Sequence, residues 1–521
     1  MNLVKENKVT RTENVIRNTW IGVIMQFLVL IVSFINRTIF IKMLGNDYLS
    51  INGLFSNIIN TLSFIELGFG TTLLYMLYKP VAEQNKEKIK TFINYYKRMY
   101  SIIGLTMFLL GILVIPFMKY IIKEPPVISE NLNFIYLLFL LSTCISYFFA
   151  HKSAIINTHQ QNHIVTIYSQ LSKIIQSILQ VIFLLVTRNF VIYLVIQILS
   201  NLINNILISK KANKMYPYLK EKNIKNITKE ERKTISNKIK SLIFYRLNPA
   251  ILNGSDNLIM SACIGISAVG KYSNYFLITN YLNIFIRQIT SSFETSVGNL
   301  NASDDAVQKE KVLYKLLYVC FLIYGIICVL LFSCLNDFIR IWLGEYYIFS
   351  NFIVFSILLY MFIEGMQFPV YSYRSTTGLF EKAKIIPLFE IIINIVVSVV
   401  LAKYIGVAGV FLGTSIAKLL TFFWSDPRIL YKYLFNNNNV IIYFKKYIYY
   451  LFVTLVIGTI IFKISNLIVV TNYLLWFIKS SLLGILTICL FILFTFKMIE
   501  YKEIKYIVLN LFSKIKNKLK K

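Results

Sequence analysis

The feature that most constrains this chain is the regular return of apolar runs about twenty residues long, separated by short segments that hold nearly all the charge. A helix crossing the hydrocarbon core of a bilayer needs about 20 apolar residues, and about fourteen such runs can be marked between residues 16 and 496. The runs are continuous rather than alternating, and lipid cannot satisfy backbone polar groups, so they read as helices and not as barrel strands. Composition agrees, with 57% hydrophobic residues and a mean hydropathy of +0.64. The 54 Lys and Arg against 24 Asp and Glu gather on alternate loops, which is the positive-inside pattern when both termini are cytoplasmic. The expected fold class is therefore an all-α integral membrane protein with about 14 transmembrane helices in a bacterial cytoplasmic membrane, and the charge calls for no nucleic acid.

Short motifs exclude more than they propose. Lys5, Lys8, Arg11 and Arg17 precede an apolar run without a small-x-small cleavage pattern, which reads as an uncleaved signal anchor. The six cysteines lie in or beside apolar runs at no metal-ligand spacing and read as packing residues. His151, His159 and His163 share an expected inner loop, but the run His159 to His163 lacks the Glu of a zinc-hydrolase motif, so no metal or cofactor is expected. No glycine-rich phosphate loop occurs, and the longest expected outer loop is only Leu335 to Phe349, which leaves no room for a catalytic domain; no enzyme is expected. Lys210 to Lys240 is a basic segment for which two readings stay open, an amphipathic helix on an anionic leaflet and a solvated linker; the tail from Lys497 to Lys521 reads the same way.

The stretch Phe34 to Pro80 stands out as two apolar helices folded at Gly45-Asn46-Asp47, with Arg37 in the first and Glu66, beside Gly68 and Gly70, in the second. A charge in hydrocarbon costs at least about 2.5 to 3.5 kcal/mol, so each one kept there faces a polar cavity or a partner. A weak repeat places Asp256-Asn257 and Gly265 where the first half has Asn36-Arg37 and Gly45, which suggests two related halves with a site between them. Arg37 and Arg287 are read either as substrate contacts or as structural pairs, Arg37 with Glu66; Lys173 and Lys418 are further candidates for a cationic cavity. Asp256, with Asn253, Ser255 and Asn257 around it, is open to ion coupling or to helix pairing, as are Glu66 and Glu364. Glu294 reads as a pairing or capping group, and Glu390 completes the acidic set.

Several stretches together resemble the polysaccharide transporter family of the multidrug/oligosaccharidyl-lipid/polysaccharide exporter superfamily: LGNDYLSINGLFSNIINTLSFIELGFG with LYKPVAE, SDNLIMSACIGISAVGKYSNY, SFETSVGNLNA, YRSTTGLFEKAKIIP and GVAGVFLGTSIA. The resemblance spans nearly the whole chain. It implies two pseudo-symmetric six-helix lobes and two extra helices, here 1–209, a basic linker at 210–240, 241–432, and 433–521 with the tail, so that Lys479 falls outside the two lobes. It also implies alternating access, with Arg37 and Arg287 lining a central cavity that attracts the pyrophosphate of an undecaprenyl-pyrophosphate-linked oligosaccharide. The implied function is flipping of such repeat units for capsule, O-antigen or exopolysaccharide synthesis, with polysaccharide polymerase machinery as a partner. A multidrug or metabolite exporter on the same fold, and a membrane polymerase or glycosyltransferase of the same pathway, are the alternatives.

Overall fold

The computed structural model describes residues 11–66, 69–221, 225–301, 305–383, 385–435, 439–506 and 509–510. Gly68, the side chain of Asn253, Lys5, Lys8 and most of the basic tail, singled out above, lie outside the described residues. Every regular element described is helical, as expected for an all-α membrane protein. Among the described residues ten helices are long and apolar enough to cross a membrane, or eleven if Leu132–Tyr147 and Ala150–Thr158, bent by 43°, form one span. Fourteen spans remain an expectation, because several of the expected runs fall on shorter or more polar helices.

The chain packs as two compact units, 1–273 and 274–521. The first holds α1 (Arg11–Leu62), α2 (Phe69–Ala82), α3 (Lys86–Val114), α4 (Met118–Ile121), α5 (Leu132–Tyr147), α6 (Ala150–Thr158), α7 (Asn162–Thr187), α8 (Phe190–Met215), α9 (Lys229–Cys263) and the start of α10 (Ile266–Asn301). Asparagines recur where apolar runs begin: Asn85, Asn131 and Asn189 each accept an orphan backbone N–H in the first turn of α3, α5 and α8. At α9 the cap is a Thr228–Glu231 capping box. An aromatic core of Phe55, Tyr136, Phe139 and Phe190 packs α1, α5 and α8 together.

α1 is broken at Gly45, whose φ of 85° and ψ of −171° suit only glycine. Gly265 joins α9 to α10 at a φ of 142°, the matching place in the internal repeat. Beyond Gly45, Asn46 and Ser50 lie against α10, with Asn46 Nδ2 donating to Ser267 Oγ at 3.1 Å. A Cβ on Gly270 would come within 2.2 Å of Ser50 Oγ, and one on Gly254 within 1.6 Å of Thr61 Oγ1. The segments beside the two glycine breaks thus meet along a seam of small residues, which lets helices approach where no hydrophobic effect drives them together.

The second unit continues α10 and adds α11 (Ala306–Leu343), α12 (Asn351–Thr377), α13 (Ile386–Ile405), α14 (Val407–Leu420), α15 (Phe422–Tyr433), α16 (Ile441–Ser465) and α17 (Tyr473–Thr495). α13 and α14 approach closely because Gly409 and Gly413 lie on the backbone of Leu401 and Ser398, and buried Asn394 donates to Thr414 Oγ1 at 2.8 Å. α16 and α17 dock on α11 through Phe321, stacked on Tyr450 at 4.3 Å and beside Phe491. Lys479 pairs with Asp337 at 2.8 Å in this docked layer.

The seam makes a testable demand. Gly270→Ala forces its new methyl into fully buried Ser50, and overpacking of this kind costs roughly 1–3 kcal/mol. Thermal unfolding of the detergent-solubilised protein should show a lowered Tm; an unchanged Tm would mean that the helices part there without cost.

Candidate functional site

The intramembrane charges fall into two chemically different sets, one in each unit. In the first unit Arg37 lies half-buried on α1, eight residues before the Gly45 break, and its Nη1 donates to Ser273 Oγ at 3.0 Å. Glu66, the pairing partner weighed for Arg37, sits in the 3₁₀ turn Ser63–Glu66 and accepts from Tyr100 Oη at 2.6 Å. Tyr96 stacks on that tyrosine with ring centroids 4.4 Å apart. The broken helix thus presents its carboxylate to a tyrosine pair. Asp256 and Asn257 are both buried on α9, where Asn257 Oδ1 has no hydrogen-bond partner among the described residues and Asp256 lies in electrostatic range of Tyr272.

Lys173 is placed differently from all of these. It is exposed on α7 and makes no ion pair or hydrogen bond among the described residues. The polar residues of α7 explain how a spanning helix tolerates it: Thr166, Ser169, Gln170, Lys173, Gln176, Ser177 and Gln180 recur every three or four positions and so share one face. Leu171, Ile175, Ile178, Ile182 and Val186 share the opposite face and are all exposed, as lipid contacts are. Two amide bridges tie the polar face to α1: Gln170 Nε2 to Gln26 Oε1 at 3.3 Å, and Asn36 Nδ2 to Gln180 Oε1 at 3.1 Å. Neither α7 nor α8 carries a carboxylate. A search confined to ionisable residues passes over these glutamines; their helical spacing is the signal that finds them.

In the second unit Lys418 and Arg374 are neutralised by carboxylates. Lys418, expected among the substrate cations, lies buried on α14 with its ammonium 2.5 Å from Glu364 of α12 and 3.5 Å from Glu390 of α13. Glu390 is fully buried, so three helices are tied through one ammonium. Two turns away Arg374 of α12 pairs with Asp426 of α15, both buried, and Gln367 Nε2 donates to the other Asp426 oxygen at 3.3 Å. Sequence reasoning did not single out this pair. Lys418 and Asp426 both border a recess, lined by Phe422 and Tyr443, with room for about one water molecule. Arg287 of α10 is exposed, and its charge, like that of Lys418, acts on Glu364. Glu294 accepts from Ser375 Oγ at 2.8 Å. Among the described residues no group of His, Cys, Asp and Glu is arranged to hold a metal.

No family model and no curated protein matches the chain. Solved structures do. The lipid II flippase MurJ, in an inward closed conformation, is similar with a TM-score of 0.62 at 18% identity, over 93% of this chain and 99% of that one. An inward-facing multidrug resistance MATE family transporter of the MOP superfamily is similar at 0.61 and 13% identity, over 80% of this chain and 99% of that one. A mutant of the Vibrio cholerae MATE transporter VcmN follows at 0.58 and 12% identity, covering 82% and 98%. The chain has the fold of these multi-pass membrane transporters.

Removing one partner of a buried ion pair leaves the other charge stranded, at a cost of about 3–5 kcal/mol. Arg374→Ala should therefore collapse thermal stability or abundance, whereas Arg340→Ala, in an exposed pair with Asp337 and Glu345, should change stability by less than about 1 kcal/mol. Equal effects of the two substitutions on Tm would contradict the assignment.

Proposed function

We propose that the chain is a flippase that moves pyrophosphate-linked oligosaccharide lipids, of the undecaprenyl type, from the inner to the outer leaflet by alternating access. The observation that carries this reading is Lys173, an exposed cation on the polar face of α7, where neither α7 itself nor the adjoining α8 holds a carboxylate. A face of that kind suits an anion. Arg37, whose planar fork matches two phosphate oxygens at once, supplies the second contact from α1. A multidrug exporter of cations would want carboxylates where Lys173 stands. The superfamily fold, and a likeness to the lipid II flippase that extends over 93% of the chain, support a transporter of lipid-linked cargo. In this reading the protein is an inner-membrane component with both termini cytoplasmic, its lobes are 1–209 and 241–432 joined by 210–240, and its product feeds the polymerase machinery of a capsule or O-antigen pathway.

Coupling is assigned to Glu364. Its carboxylate pairs with Lys418 and lies within electrostatic range of Arg287, so taking up a proton there would leave Lys418 to Glu390 alone and remove a negative charge that acts on Arg287. Asp256 and Asn257 form the second coupling candidate, in the first unit.

Deletion of the gene should trap completed lipid-linked repeat units on the inner leaflet; units that reach the outer leaflet unpolymerised would point to an enzyme instead. Arg37→Ala should abolish export while membrane abundance holds, and full export would sink the assignment. For coupling, Glu364→Gln is expected to remove the dependence of transport on the driving ion gradient, measured in reconstituted vesicles; undiminished dependence would reject this role.

A further inference from the structure

The polar face of α7 holds more than an anion needs. Pyrophosphate oxygens only accept hydrogen bonds, so cations and N–H donors suffice for them. A side-chain amide offers a donor and an acceptor together, the combination that a sugar hydroxyl or an N-acetyl group requires. Gln170, Gln176 and Gln180 repeat this group along α7, and Gln26 and Asn36 add it from α1. From Gln170 to Gln180 the face runs about 15 Å, longer than a single sugar ring.

Interhelical pairing accounts for part of this set only. Gln180 is consumed, donating to Tyr193 O at 3.1 Å while accepting from Asn36. Gln176 makes no hydrogen bond among the described residues and is half-buried, one turn from Lys173. Gln170 Oε1 and Asn36 Oδ1 are buried without a partner among those residues, and Asn36 is only 8% exposed. These two amide oxygens thus keep acceptor capacity that a donor reaching the face would satisfy.

We infer that the amide face of α7, centred on Gln176 and completed by Gln170 and Asn36, recognises the sugar moiety of the transported lipid, while Lys173 and Arg37 hold its pyrophosphate. This rests on the flippase reading and divides the site by chemistry: charge for the carrier that all substrates share, amides for the sugar that distinguishes them. Gln176 is then a specificity-determining residue.

The test is binding to the full-length protein in nanodiscs, with two probes: a short polyprenyl pyrophosphate, and the same lipid carrying an N-acetylhexosamine. The wild type should prefer the glycosylated probe. Gln176→Ala should lower that preference by about tenfold, the worth of one well-placed hydrogen bond, and leave binding of the bare lipid and the Tm unchanged. Lys173→Ala should weaken both probes alike. Equal binding of the two probes by the wild type, or a preference untouched by Gln176→Ala, overturns the sugar assignment and leaves the flippase reading standing. Failure of both probes to bind the wild type overturns the flippase reading, and the inference with it.

Discussion

Keeping a polar side chain in the membrane costs free energy unless it is paired or faces water, and this penalty decides the place of nearly every such residue in the chain. The second unit meets it by pairing: Lys418 sits between Glu364 and Glu390, Arg374 binds Asp426, and Lys479 binds Asp337. The first unit meets it by segregation. α7 turns an apolar face to lipid and sets its glutamines and Lys173 on the other side, where amide bridges to α1 hold the face in register. The same rule thus produces a neutralised interior in one unit and a cationic, amide-rich face in the other. The proposed function rests on that difference, since Lys418 is already neutralised by carboxylates and Lys173 is not.

Close helix approach is the second device. Gly254 and Gly270 let α9 and α10 close onto the small side chains of Thr61 and Ser50, and Gly409 and Gly413 bring α14 onto the backbone of α13. In water such contacts would be weak beside burial of leucines. In lipid, where apolar side chains gain nothing by leaving one apolar medium for another, packing and hydrogen bonds carry the association. The seams therefore fall where the sequence has glycine, serine and asparagine.

Much of this was legible in the residues alone. Continuous apolar runs and short basic loops predict the helical membrane fold; the turn expected at Gly45-Asn46-Asp47 coincides with the break in α1 at Gly45; and Gly45 and Gly265, at matching places in the weak repeat, both take positive φ, 85° and 142°. Lys479, set apart from the site in the sequence, pairs with Asp337 in the layer that docks on α11. Less legible were the partners. Arg374 and Asp426 are 52 residues apart and meet only because α12 and α15 pack together, a tertiary fact that no local pattern encodes. Lys418 looked like a free cation because both of its carboxylates come from other helices. The amides of α7 escaped for another reason: glutamine is uncharged, so a search for costly charges passes over it, although its three-and-four spacing stood in the sequence throughout.

The central claim is that one face of α7 meets water and substrate while the other meets lipid. Single cysteines placed on each face of a cysteine-free protein, reacted in intact membranes with a charged, membrane-impermeant thiol reagent, test it directly. Lys173→Cys and Gln176→Cys should label, and Ile175→Cys and Ile182→Cys should resist. Labelling that ignores the face, or that favours the isoleucine positions, would contradict the account.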